Sequence, residues 1–249
     1  MSAKKHIIKL ESVESTNSYI MEHSSQMLHA TVVSTYNQTS GRGQRGNSWE
    51  SEPYKNLTFS LFITPQNILA RQQFYISEIV SIAIVSVLRR YILNQSVTIK
   101  WPNDIYVNDS KICGILIENT ISGQSIYRSI IGIGINVNQR DFKSDAPNPI
   151  SLIHFINKEI SLDTILEEVT NEIFHTFEHY DTSCEFEQLH RLYLSMLWRN
   201  DNKPHLYTTP CGNIFNATIT DVAPNGLLTL TDTKGASQSY AFKEIAAII

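Results

Sequence analysis

Gln38-Thr39-Ser40-Gly41-Arg42-Gly43-Gln44-Arg45-Gly46-Asn47-Ser48-Trp49 sets three glycines and two arginines in one short run closed by a tryptophan. Glycine lets a backbone approach a ligand closely and adopt conformations that other residues avoid. Arginine offers a planar fork of donors matched to phosphate and carboxylate oxygens. The run follows residues 30–36, where Thr31, Val32, Val33 and Thr35 give the β-branched character of a strand. A strand that feeds a cationic glycine loop is how a rigid sheet presents a clamp for an anionic small molecule. A solvated basic turn is the alternative that these residues alone leave open.

Upstream, residues 5–10 alternate weakly and read as a strand. Glu14-Ser15-Thr16-Asn17 then leads into Tyr19, Ile20, Met21 and Met27 at roughly helical spacing. Ser15 or Thr16 is a good N-cap, because its hydroxyl can accept from the free amides of the first turn. Three polar side chains at a helix N-terminus are also a ready site for a polar ligand. Downstream, Leu57–Ile63 alternates with period two and ends near Pro65. Residues 70–93 carry Phe74, Ile79, Ile82, Val85 and Leu88 at three- and four-residue steps. That spacing predicts a largely buried helix, closed by Arg89-Arg90 at its C-terminal end.

Two short β runs flank Lys100-Trp101-Pro102-Asn103-Asp104, where Pro102 holds Trp101 away from helical geometry. Asn108-Asp109-Ser110 predicts a hairpin turn, and Lys111-Ile112-Cys113-Gly114-Ile115-Leu116-Ile117-Glu118 the returning strand. Such a hairpin can gather Lys100, Asp104 and Lys111 on one side. After a turn at Gly123, residues 127–137 read as a strand that ends in Gly132-Ile133-Gly134-Ile135-Asn136-Val137-Asn138. This segment lacks the third glycine and the following helix of a dinucleotide fingerprint. Small glycines on a β segment point to close approach of a neighbouring chain or a ligand.

Residues 139–149 form a polar loop with Asp141, Lys143, Asp145, Pro147 and Pro149. Helical regions follow at 161–181 and 184–198. His175 and His179 stand four apart on the first, without an HExxH pattern or an evident third ligand, and read as a helix face. From about residue 201 helical periodicity stops, and short strand runs recur at 203–207, 214–221, 226–231 and 237–242. Short strands in so few residues predict a small β-barrel or sandwich resting on the larger domain. The expected division is 1–200 and 201–249.

The 249 residues carry a net charge of −4 with no basic block of the kind that marks a nucleic-acid arm. No apolar run approaches the length of a membrane span or of a signal-peptide core. Cys113, Cys184 and Cys211 form no CxxC pair; an odd, sparse set fits a reducing cytoplasm.

A cationic glycine loop, a Lys/Asp hairpin and a GxGxN strand end together suit a phosphorylated ligand. Arginine and lysine balance a polyphosphate, and Asp104 can help to hold Mg²⁺. No Walker lysine motif, kinase catalytic loop or nucleophile elbow is present. Activation of a carboxylate by a nucleotide is therefore the natural chemistry, although the residues alone do not name that carboxylate.

The ordered set Glu14–Asn17, Gln38–Trp49, Lys100–Asp104, Lys111–Glu118, Gly132–Asn138 and Asn148-Pro149-Ile150-Ser151-Leu152 resembles the biotin protein ligases over most of the chain. The resemblance implies an α/β (α+β) catalytic domain with a mixed sheet, like that of class II aminoacyl-tRNA synthetases, plus a small SH3-like C-terminal β-barrel. It also implies a two-step reaction. Biotin and MgATP give biotinyl-5′-adenylate and pyrophosphate, and biotin then passes to one lysine of a biotin carboxyl carrier domain. The biotin site would fall on Ser15, Thr16, Asn17, Gln38, Gly41, Arg42, Lys111 and Gly114. Nucleotide would meet Arg45, Trp49, Lys100, Asn103, Asp104 and Asn136, with Asp104 at the Mg²⁺. Lys111, Arg42, Arg45 and Asp104 would serve the chemistry, and Trp49 would anchor the closing loop.

Gln44 and Asn47 depart from the resemblance, standing where many members carry arginine, and Lys243-Glu244 stands where a Gly-Glu pair is usual. The sequence begins almost directly at the catalytic domain, so a helix-turn-helix module and DNA binding are not expected. A cytoplasmic monomer or homodimer, ATP and Mg²⁺ as cofactors, and no membrane partner complete the expectation. A lipoate or octanoyl ligase shares the architecture, and a non-catalytic nucleotide- or carrier-binding module is the alternative from another class.

Overall fold

The computed structural model describes residues 5–143, 148–180 and 183–248. The chain opens with β1 (His6–Val13), α1 (Thr16–Glu22) and β2 (Thr31–Gln38). β1 and β2 pair in parallel, which requires a crossover, and α1 supplies it. Next come β3 (Leu57–Ile63), α2 (Phe74–Tyr91), β4 (Val97–Lys100), β5 (Asp104–Val107), β6 (Ser110–Ser122) and β7 (Ser125–Ile135). These strands join β1 and β2 in one seven-stranded mixed sheet of order β1-β2-β3-β7-β6-β5-β4, antiparallel everywhere but at β1-β2.

Three helices follow: α3 (Ile153–Ile156), α4 (Leu162–His179) and α5 (Ser183–Ser195). The chain then builds β8 (His205–Thr208), β9 (Ile214–Val222), β10 (Leu228–Asp232), β11 (Ser237–Tyr240) and β12 (Ala246–Ala247). They form a second, five-stranded antiparallel sheet of order β11-β10-β9-β8-β12. The architecture is thus the mixed α/β one expected, with a separate small β unit. Among the described residues β11 and β12 stand at the two edges of that sheet, and no ladder joins them.

Period-two alternation sorts β3 and β7 into two faces. Leu57, Phe59, Leu61 and Ile63 join Ile131, Ile133 and Ile135 in the main core with α2. α2 packs in turn on α4 and α5, which is why it is apolar on nearly every side. Phe62 and Ile130 face the other way and form a small cluster with Ile20 of α1 and Val33. Every residue of β3 is buried, as a central strand covered on both faces requires. Each of its buried Leu, Phe and Ile side chains stabilises the fold by about 1.5–3 kcal/mol.

The helix expected over 70–93 begins only at Phe74. Residues Ala70–Gln72 form a 3₁₀ turn, with the Ala70 amide donating to Gln124 O at 2.8 Å. α1 stops at Glu22, leaving Met27 beyond it to pack beside the small cluster. α5 stops short of residue 198. Met196 O accepts from Ile99 N at 2.8 Å, and Trp198 N donates to Ile99 O at 2.8 Å, so this segment covers the β4 edge instead of continuing the helix. Of the polar loop at 139–149, Asp145 and Pro147 lie outside the described residues. Among the described residues no helix is long and apolar enough to cross a membrane.

Candidate active site

A cavity of about 810 Å³ opens on the α1 side of the large sheet. Ser15, Thr16 and Asn17 stand at its edge because the β1–α1 junction places them there. Ser15 has extended backbone, φ −153°, and its Oγ accepts from Ser18 N at 3.4 Å as the N-cap. Thr16 N donates to Gln38 Oε1 at 3.0 Å, linking the helix start to the end of β2. Ser60 Oγ, wholly buried on β3, lies 2.6 Å from both Thr16 Oγ1 and Asn17 Oδ1. Asn17 also donates to Glu118 Oε2 at 2.7 Å. A Cβ at Gly132 would fall 2.4 Å from Asn17 Oδ1, so only glycine leaves room for this side chain.

Beyond Gln38 the glycine loop crosses the cavity. Arg42 Nη2 lies 2.6 Å from Glu118 Oε2 on β6, so this guanidinium is held by a carboxylate at the rim. Gly43, Gln44, Asn47, Ser48 and Trp49 line the cavity. Gly41 lies outside its wall, in a shallow neighbouring depression with Glu118, and packs against Trp49 O. Arg45 belongs to the 3₁₀ turn Gln44–Gly46, and its side chain lies outside those described.

The β4–β5 corner and the start of β6 bring three charges together. Lys111 Nζ lies 2.6 Å from Asp104 Oδ1, close enough for an ion pair although out of line for a hydrogen bond. Lys111 Nζ also stands 5.7 Å from the Trp49 ring. Lys100 pairs with Asp104 in register across β4 and β5. Its Nζ donates to Tyr106 Oη at 2.9 Å and faces the Trp198 ring at 5.3 Å. Burial, first, and the neighbouring Lys111 push the Lys100 pKa down, against the pull of Asp104. Asn103 Nδ2 donates to Ile115 O at 2.6 Å, fixing the corner on β6. Asn136 leaves the end of β7 with Nδ2 on Ile150 O at 3.1 Å, while its buried Oδ1 has no partner in the protein. Trp49 Nε1 is likewise buried and unpartnered. Buried polar atoms are normally satisfied, so these two mark where a polar ligand can bind.

The cavity therefore gathers every residue the resemblance singled out except Gly41 and the undescribed Arg45 side chain. Sequence reasoning missed the rest of the wall. Trp198, Tyr207, Ile219, Leu228, Phe242 and Ile245 line it as well, three of them from strands of the five-stranded sheet. It also missed Glu118 as the partner of Arg42 and Asn17, and Ser60 as the support of the α1 start. Glu118 closes a quoted motif, but its partners are far away in sequence. One end of the site offers hydroxyl and amide groups, the middle a Lys–Asp pair, and the far wall apolar surface. That order suits a polar head, a reacting anion and a flat, apolar base.

Residues 10–136, just over half of the chain, match the model of the biotin/lipoate A/B protein ligase family. Over 136 residues the chain is 32% identical to the bifunctional ligase/repressor BirA of Escherichia coli, covering 55% of this chain and 42% of that protein. Over 130 residues it is 32% identical to the biotin–[acetyl-CoA-carboxylase] ligase of Paracoccus denitrificans, covering 51% of this chain and 53% of that one. The matched stretch thus spans about half the length of these curated relatives. Among solved structures, the biotin protein ligase from Aquifex aeolicus in complex with biotin and ATP superposes with a TM-score of 0.79 over 98% of this chain and 99% of that one, at 21% identity. That likeness is one of fold. With the family model matched across the glycine loop, the Lys/Asp hairpin and the GxGxN strand end, the chain belongs to the biotin/lipoate A/B protein ligase family.

Proposed function

We propose that the chain is a biotin protein ligase, using ATP to join biotin to a lysine of a biotin carboxyl carrier domain. The observation that carries this reading is the single cavity in which Thr16, Gln38, Arg42, Lys111, Asp104 and Asn136 all meet. Hydroxyl and amide groups at Ser15, Thr16, Asn17 and Gln38 would satisfy a ureido ring, whose polar atoms would be costly to bury unpaired. Gly114 would let the ligand chain lie close to β6. The biotin carboxylate oxygen would attack the α-phosphorus of ATP, forming the acyl–phosphate bond and releasing pyrophosphate. Lys111 would stabilise the negative charge that develops there. In the second step the carrier lysine, as free amine, would attack the acyl carbon; an amide forms, AMP leaves, and the amine gives up a proton.

Arg42 and Arg45 would close over substrate, with Trp49, Lys100 and Asn103 beside the nucleotide. The Asp104 carboxylate and the unpartnered Asn136 Oδ1 are oxygen donors of the kind Mg²⁺ accepts alongside phosphate oxygens. When bound, the ion would neutralise charge on those phosphates. We take residues 1–200 as the catalytic domain and 201–249 as the appended one, for which the separate sheets speak. The free thiols of Cys113 and Cys211 favour a reducing cytoplasm as the working compartment.

ATP-dependent transfer of labelled biotin to the lysine of an apo carrier domain tests the reading. Labelling that needs ATP and resists excess lipoate is expected. Competition by lipoate in ATP–pyrophosphate exchange would assign the chain to lipoate instead. Absence of any transfer would leave a binding module.

A further inference from the structure

We propose that His190 is a positioning residue that fastens the five-stranded sheet to the helical layer and so fixes the wall this sheet gives to the cavity. His190 projects from α5 between two carboxylates of distant segments. Its Nδ1 lies 2.8 Å from Glu78 Oε1 on α2, and its Nε2 lies 2.9 Å from Asp221 Oδ1 on β9. Glu78 is fully buried, whereas the Asp221 side chain is 54% exposed. With an acceptor at each nitrogen, the ring donates through both and is an imidazolium. A buried carboxylate is costly unless paired, so Glu78 holds the ring, and the ring presents its second donor to the small sheet. The pair of acceptors raises the His190 pKa to about 9, the hydrogen bond to Glu78 contributing most.

The other titratable groups around this pair are quiet. Burial pushes the phenols of Tyr75 and Tyr193 upward, so both stay neutral near pH 7. Glu187 on α5 faces outward, 3.9 Å from Arg191. The seam continues past His190. Phe74 N donates to Pro224 O at 3.1 Å, and Trp101 Nε1 donates to Gly226 O at 3.0 Å. Gly226 has φ +90°, and a Cβ there would meet the Phe74 ring at 2.8 Å. The β9–β10 turn is thus held by Phe74 and Trp101, and the strand leading into it by His190 through Asp221. Ile219, two residues before Asp221, and Leu228, just after the turn, both line the cavity. Releasing Asp221 therefore frees the strand that carries part of the wall.

The kinetic half of the test rests on the ligase reading; the structural half does not. Asp221→Ala in the full chain removes the link to the small sheet and leaves the His190–Glu78 pair intact. Amide hydrogen exchange in β9 and β10 is expected to quicken about tenfold while that in β3 and β7 holds. The KM for ATP in biotin-dependent pyrophosphate release is expected to rise about fivefold, with kcat within about twofold, and Asp221→Glu to recover most of both. Unchanged exchange in β9 and β10 would overturn the fastening. So would an equal quickening in both sheets, which would signal a general loss of stability. Local quickening with an unmoved KM for ATP would overturn the link to the cavity. Should the unsubstituted chain release no pyrophosphate, the ligase reading falls while the exchange result still decides the fastening.

Discussion

The indole of Trp49 lies against Gly134: a Cβ at that position would fall 2.3 Å from Trp49 Cε2. The same ring bears on Gly114, where a Cβ would come within 3.0 Å of Trp49 Cζ3. The loop is pinned behind it, since Trp49 N donates to Gly41 O at 2.9 Å. Glycines on β6 and β7 and the tryptophan of the glycine loop therefore form one packed unit. Gly134→Ala is expected to expel the indole, lowering stability by about 1–3 kcal/mol and shifting tryptophan emission to the red. The losses from Gly134→Ala and Trp49→Ala should fail to add in the double variant. Unshifted emission in Gly134→Ala would contradict the packing.

Lys111 combines a structural backbone with a head group that faces the cavity beside Asp104. Its N donates to Asn148 O at 2.8 Å and its O accepts from Ile150 N at 2.9 Å, bonds that alanine keeps, whereas its Nζ faces the cavity 2.6 Å from Asp104 Oδ1. Lys111→Ala should therefore leave the melting temperature nearly unchanged. Biotin-dependent pyrophosphate release should fall by about a hundredfold or more, the scale for removing a group aimed at developing charge. Release at the unsubstituted rate would remove Lys111 from the chemistry.

Arg42 is held at the rim by Glu118, and that contact defines where its guanidinium sits. Arg42→Ala should weaken biotin binding by about tenfold, the scale of a charge-assisted bidentate contact. Glu118→Gln should weaken it less and in the same direction, because the loosened side chain has lost its anchor. Titration calorimetry on the two single variants and the double decides. Additive losses would mean that Glu118 does not act through Arg42.

The pH dependence of stability has a defined sign. The folded His190 pKa of about 9 lies above the ordinary 6.5. Its contribution is thus full below about pH 6.5 and is lost as pH rises through about 9. Burial pushes the pKa of Glu78 up while His190 pulls it back. The melting temperature should fall between about pH 7 and pH 9.5, and more steeply than in His190→Gln. Parallel curves for the two proteins would show that the imidazolium contributes nothing.

Sequence periodicity carried the large sheet well. Leu57–Ile63 alternates because one face joins the main core and the other meets α1, and Asn108 with φ 53° makes the turn that its residue type favours. The resemblance also brought together residues that the fold places around one cavity. Boundaries set by tertiary contacts were not legible. Residues 70–72 look helical, yet a bond to Gln124 ties them to the β6–β7 hairpin. Residues 196–198 have helical composition, yet they pair with Ile99. Nor could spacing reveal the Arg42–Glu118 pair or the His190 bridge, whose members stand 76, 112 and 31 residues apart. β12 is only two residues long, too short to leave a period.

The apolar wall supplied by Tyr207, Ile219, Leu228 and Ile245 has a consequence for synthesis. A chain leaving the ribosome folds from its N-terminal side first. The seven strands of the large sheet, with Lys111, Asp104 and the glycine loop, are therefore all made before that wall exists. A nascent chain holds its charged groups in an open trough, and the wall on this side is complete only when β12 pairs with β8. The order of the genetic message thus assembles the charged floor of the cavity before its apolar wall.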